Sequence, residues 1–144
     1  MKNDYTLHLE KWKHLVTDAS TLVIGIDVSR LKHDACFGTK NKIFCRKFTI
    51  TNDLFGFEIL EEKINSLCIE HGFKNVLLGM EPTSVYWCCL NEYLKSKNRN
   101  TCLLDPISVF HNRKTLKKDN GKSDKKDAYA IFDLMSQQKF YFPT

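Results

Sequence analysis

Apolar and β-branched residues run almost unbroken through TLVIGIDVS (21–29), NVLLGM (75–80) and TCLLD (101–105). Short runs without polar alternation predict strands buried on both faces. DACFGT (34–39) and IFCRKFTI (43–50) predict two further strands, joined by the polar turn Lys40–Asn41–Lys42. The period then changes to 3.6. Asn52 or Asp53 can cap a helix whose apolar positions are Phe57, Leu60, Ile64, Leu67 and Cys68, and Gly72 supplies its left-handed end. Pro82 and Thr83 are expected to open a second helix, with Tyr86, Cys89, Leu90, Tyr93 and Leu94 along one stripe. A third is expected from about Ser123 to Gln138, with Ala128, Ile131, Leu134 and Met135 inward. A short amphipathic helix over 4–18, with Leu7, Trp12 and Leu15 as its better apolar positions, precedes them all.

After that first helix the order is β-β-β-α-β-α-β-α. A three-strand meander followed by alternating helices and strands predicts an α/β fold with a mixed sheet and helices on its faces. The ribonuclease H-like (RuvC-like) fold has this order, its first strand central; a flavodoxin-like sheet would also accommodate the second half. The 144 residues suit one domain with its own core. Residues 1–20 read as an N-terminal helical extension and 21–144 as the domain.

Composition narrows the class. Apolar residues are 42% and charged residues 27%, which excludes a disordered or fibrous chain. No apolar run approaches the roughly 18–20 residues of a membrane span, and the polar N-terminus is no secretory signal. The six cysteines form no C-x-x-C pair and no disulfide framework, so they read as reduced core thiols of a cytoplasmic protein. The net charge of +5 is concentrated in one place. Residues 111–126 (HNRKTLKKDNGKSDKK) hold seven basic against two acidic side chains, and the remainder of the chain is balanced. Such a segment attracts polyanions, or else it is simply a solvated loop.

Four acids stand where an α/β sheet places its chemistry. Asp27 ends one apolar strand and Glu81 another, and the carboxyl ends of neighbouring strands line the ligand crevice of open sheets. Asp124 and Asp127 are three apart, hence on one face of a helix. Carboxylates gathered in one crevice repel unless cations neutralise them, and hard Mg²⁺ or Mn²⁺ suits oxygen ligands. Two such ions about 4 Å apart can activate a nucleophile and stabilise a leaving oxygen at a phosphodiester. Each acid also has a purely structural use, as a turn or helix-terminus residue.

GIDVSR (25–30), GMEPTSVYW (79–87) and KSDKKDAYAI (122–131) together resemble the three motif blocks of the DEDD, or Piv-like, insertion-sequence transposases. The resemblance runs from about Leu22 to Leu134, with Arg30 for a usual Lys and Ser84 for a common Gly. It implies a RuvC-like catalytic domain whose metal-binding acids are Asp27, Glu81, Asp124 and Asp127. It further implies Mg²⁺- or Mn²⁺-dependent cleavage and strand exchange at DNA phosphodiesters, a bridge-type noncoding RNA and a homo-oligomeric full-length protein. The family's second domain, which carries a nucleophilic serine, has no counterpart here, so an isolated domain is expected to be weakly active at most. In this frame Arg113, Lys114, Lys117, Lys118, Lys122, Lys125 and Lys126 hold nucleic-acid backbone without reading bases. Tyr86 and Trp87 are expected in the core rather than as base-stacking platforms, and His111 is at most a phosphate contact.

Two other functions use the same features. A stand-alone resolvase-like nuclease would need the same four acids, and a nucleic-acid-binding module would need only the basic segment. An actin-like ATPase, whose first phosphate strand GIDVS also resembles, would need further glycine-rich loops; six glycines in the chain supply none.

Overall fold

The computed structural model describes residues 2–120 and 128–143, with the backbone alone over 117–120. Helix α1 (Asp4–Leu15) leads into strands β1 (Thr21–Asp27), β2 (Lys32–Thr39) and β3 (Lys42–Thr51). Then follow α2 (Leu54–His71), β4 (Asn75–Met80), α3 (Tyr86–Ser96), β5 (Asn100–Leu103), α4 (Pro106–Asn120) and α5 (Tyr129–Ser136). The sheet order is β3-β2-β1-β4-β5. The β1–β2 and β2–β3 pairs are antiparallel, whereas β1–β4 and β4–β5 are parallel. The first strand is therefore central, with the meander on one side and the crossover strands on the other. This is the ribonuclease H-like mixed sheet that the residue pattern predicts.

Alternation along the strands splits the core in two. Leu22, Ile24, Ile26, Leu78 and Met80 pack under α2 and α3. Val23, Cys36, Leu77 and Cys102 face α1, α4 and α5 on the other side. Gly25 and Gly79 are register partners on this second face. A Cβ on Gly25 would lie 2.4 Å from the Phe132 backbone N, and one on Gly79 would lie 2.6 Å from Met135 Sδ. The two glycines form a trough into which α5 settles directly against the sheet. Helix α1 is tied to the chain's other end, since Tyr5 Oη donates to the Phe142 carbonyl at 2.8 Å and Trp12 is buried. Among the described residues no helix is long and apolar enough to cross a membrane.

Asp53 caps α2, accepting from the Gly56 N–H, and Gly72 closes that helix in the left-handed region (φ 70°). Four expectations need correction. Helix α3 starts at Tyr86, not at Pro82–Thr83, because Ser84 Oγ takes the Tyr86 N–H in a competing local turn. Its buried stripe is Leu90, Asn91 and Leu94, which leaves Tyr86 and Cys89 exposed. Leu7 is exposed on α1. The first part of the basic segment is not a loop but the body of α4, started by Pro106 behind an Asp105 cap. That helix has little apolar periodicity, since Val109 is buried while Ile107 and Phe110 face outward.

Candidate functional site

Asp27 is the last residue of β1, and Glu81 follows β4 directly. The Ile26–Met80 pairing sets the two acids side by side at the carboxyl ends of parallel neighbours, on the face that α5 covers. Both side chains are only 14% exposed. Between them lies the guanidinium of Arg113, which α4 delivers from across the crevice. Its Nη2 donates to Asp27 Oδ1 at 3.1 Å, and its Nη1 stands 3.7 Å from Glu81 Oε2. Asn112 fixes how α4 is turned, donating from Nδ2 to the Ala130 carbonyl at 2.9 Å and reaching Asp133 Oδ2 at 3.2 Å. Arg113 thus faces the strand ends because its neighbour is fastened to α5.

The site is acidic beyond the two expected carboxylates. Burial pushes the Glu81 carboxyl above the usual carboxylate range; Arg113 opposes this, while Asp27 and Asp105 add to it. Asp105 stands two residues past the end of β5, after Leu104, and its Oδ2 accepts from the Ser108 N–H and Oγ–H at 3.2 and 3.1 Å. Asp34 lies directly opposite Asp27 in the antiparallel ladder and accepts from Thr49 Oγ1 at 2.5 Å. Opposite residues of such a pair share a face. Sequence reasoning missed both. The strand-end signal that singled out Asp27 and Glu81 was present for Asp105, whereas Asp34 required the pairing register.

A buried histidine braces the turn that leaves Asp27. The Ser29 N–H donates to His33 Nδ1 at 3.1 Å, so Nδ1 is unprotonated and Nε2–H is left to donate to Asn52 Oδ1 at 2.9 Å. Asn52 in turn donates from Nδ2 to the Arg30 carbonyl, and its N–H to that of Leu31. The Ser29 hydroxyl donates to the Lys32 carbonyl. Desolvation lowers the His33 pKa, more than the Asn52 hydrogen bond and Asp34 raise it. The uncharged ring therefore holds residues 28–31 beside the site. His33 carried no sequence signal beyond being polar near a strand end, and Asn52 stood out only as a possible cap of α2.

The remaining candidates divide. Asp124, Asp127, Lys122, Lys125 and Lys126 lie outside the described residues. Ala128, the first described residue after them, presses on the sheet: its carbonyl would be 3.0 Å from a Cβ at Gly25, two residues before Asp27. Lys117 and Lys118 fall in the part of α4 described by backbone alone. Lys114 Nζ lies 4.5 Å from the Phe110 ring centroid on its own helix, and His111 is exposed beside that ring. Arg113, expected on phosphate, is engaged by the acids instead. Trp87 packs against the α2–α3 core as expected; Tyr86, 37% exposed, does not. None of the six cysteines is in a disulfide. Cys36 and Cys102 are buried, and burial pushes the Cys102 thiol up, but Cys88 and Cys89 are exposed, contrary to the core role expected of them.

Two hard oxygen donors on adjacent, poorly solvated strand ends, already bridged by one positive group, fit a divalent cation by charge and donor type. Among the described residues no group of three or more His, Cys, Asp or Glu is placed to hold one, so Asp27 and Glu81 by themselves could furnish only part of a ligand set.

No curated protein matches the sequence. Among solved structures, the crystal structure of the yeast mitochondrial Holliday junction resolvase Ydc2 is similar over 99% of this chain and 72% of its own, at 14% identity and a TM-score of 0.37. The DEDD_Tnp_IS110 family model, described as transposase, matches residues 24–144, a span that contains every acid discussed above. The chain belongs to this DEDD transposase family.

Proposed function

We propose that the chain is the metal-dependent catalytic domain of a DNA transposase, with Asp27, Glu81, Asp124 and Asp127 as its acidic site. The observation that carries this reading is the meeting of Asp27 and Glu81 at adjacent parallel strand ends around the Arg113 guanidinium. The seat of Ala128 on Gly25 supports it, since Ala128 directly follows Asp127 in the chain. The four carboxylates would hold Mg²⁺ or Mn²⁺, which when bound supplies Lewis-acid stabilisation of phosphodiester oxygens.

The chain's own residues prepare for that. Asp27 and Glu81 have little exposure to solvent, which strengthens any charge interaction made there. The His33–Asn52 brace holds the turn after Asp27 and so fixes the direction of that carboxylate. Lys114, Lys117, Lys118, Lys122, Lys125 and Lys126 would attract DNA, and a structured noncoding RNA, through phosphate without selecting sequence. Function in the cytoplasm as a homo-oligomer, with a serine-bearing second domain completing strand exchange, belongs to the same reading.

The test is nicking of branched and nicked DNA duplexes by the 144-residue chain with Mg²⁺ or Mn²⁺, beside Asp27→Asn and Glu81→Gln. Weak cation-dependent nicking lost in both variants is expected. Nicking that survives in both would overturn the assignment of the acids. Salt-dependent binding without nicking by the unsubstituted chain would make it a binding module.

A further inference from the structure

We infer that Arg113 is a built-in counter-ion for the Asp27–Glu81 pair, which a divalent cation must displace in order to bind. This rests on the proposed cation site and names what governs its affinity. One guanidinium reaches both acids, Nη2 at 3.1 Å from Asp27 and Nη1 at 3.7 Å from Glu81. Neighbouring strands lie about 4.8 Å apart, so the space between two side chains at their ends accepts one cationic group. A divalent ion needs oxygen ligands at about 2.0–2.6 Å, a range that a guanidinium in that space obstructs.

The same geometry shows why the arginine can leave. Only the Asp27 contact is within hydrogen-bond distance; the one to Glu81 is held by charge alone. The buried Nε–H has no hydrogen-bond partner among the described residues. A group fixed on one side and unsatisfied at another atom is a loose plug rather than a locked ion pair. Its role without a cation is to bring positive charge between two poorly hydrated carboxylates. Asn112, not Arg113, fastens α4 to α5, so the guanidinium can swing out while the helix stays in place.

The experiment is a calorimetric titration of the 144-residue chain with Mn²⁺, comparing the unsubstituted protein with Arg113→Gln and Arg113→Lys. Thermal melting of each protein without cation checks folding. Arg113→Gln is expected to bind Mn²⁺ about tenfold more tightly, having lost its competitor. Arg113→Lys should fall between, because an ammonium keeps the charge but cannot span both acids. In parallel, Mg²⁺ should shift the Arg113 ¹⁵Nε–¹Hε resonance of the unsubstituted chain, a signal identified by its loss in Arg113→Lys. Equal Mn²⁺ affinity in all three folded proteins, or an Arg113 resonance that Mg²⁺ leaves in place, would overturn the inference while the cation site stands. Absence of cation binding to any of them would overturn the site and the inference together.

Discussion

Replacing Gly25 by alanine puts a methyl group into the trough where α5 meets β1. The new carbon would lie 2.4 Å from the Phe132 N, 2.8 Å from the Phe132 Cα and 3.0 Å from the Ala128 carbonyl oxygen. All three atoms are backbone, so no side-chain rotation relieves the clash and α5 must move off the sheet. Over-packing a tight core costs about 1–3 kcal/mol, and a clash with backbone belongs at the upper end. The lower entropy of an unfolded alanine returns about 0.4–1 kcal/mol. A net loss of about 2 kcal/mol follows. Gly79→Ala is the internal control. Its methyl would meet Met135 Sδ at 2.6 Å, Met135 Cε at 2.9 Å and Leu104 Cδ2 at 2.9 Å, all side-chain atoms that can turn away. Its net cost should be below about 1 kcal/mol. Urea unfolding followed by far-ultraviolet circular dichroism measures both, with equal m-values as the sign of an unchanged unfolded state. If Gly25→Ala were no more costly than Gly79→Ala, α5 would not rest on the sheet as described. The seat of Ala128 beside the strand ends would then fall with it.

Three further outcomes are expected. Asp53→Ala should cost about 1 kcal/mol in the same unfolding assay, because the Gly56 N–H loses its cap. His33 is held neutral with its pKa below 6.5, so the unfolded chain takes up its proton first. Stability from this group is complete above 6.5 and is lost as the pH falls below it. Urea midpoints at about pH 7.5 and about pH 5.5 should therefore differ by less in His33→Gln than in the unsubstituted chain. Changing Lys114, Lys117 and Lys118 together to Gln should weaken nucleic-acid binding and flatten its logarithmic salt slope by about 2–3; an unchanged slope would reduce them to solubilising charge.

The sheet was legible in the sequence because buried parallel strands must be continuously apolar: β1, β4 and β5 stand out from the polar segments around them. Helix α2 was equally plain, with Asp53 and Gly72 at its ends and Phe57, Leu60, Ile64 and Leu67 on one face. Helix α4 was not, since among its described side chains only Val109 is buried and the helix is held largely by the polar contacts of Asn112 and Arg113. The start of α3 was misplaced because Pro82 suits a first helical turn, while the Ser84 side chain captures the backbone there. Asp27 and Glu81 could be singled out by their position at strand ends. What joins them could not: Arg113 lies 86 residues from Asp27 in the chain and reads, among its neighbours, as one more phosphate ligand. The His33 brace was hidden for a similar reason, because its partners Ser29 and Asn52 come together only when β2 and β3 fold back beside β1.

The central claim is that Asp27 and Glu81 form a divalent-cation site, and Mn²⁺ calorimetry on the 144-residue chain beside an Asp27→Asn, Glu81→Gln double variant tests it most directly. Saturable binding by the unsubstituted chain that disappears in a folded double variant is the predicted result. Binding that persists undiminished in the double variant would place the cation elsewhere and contradict the account.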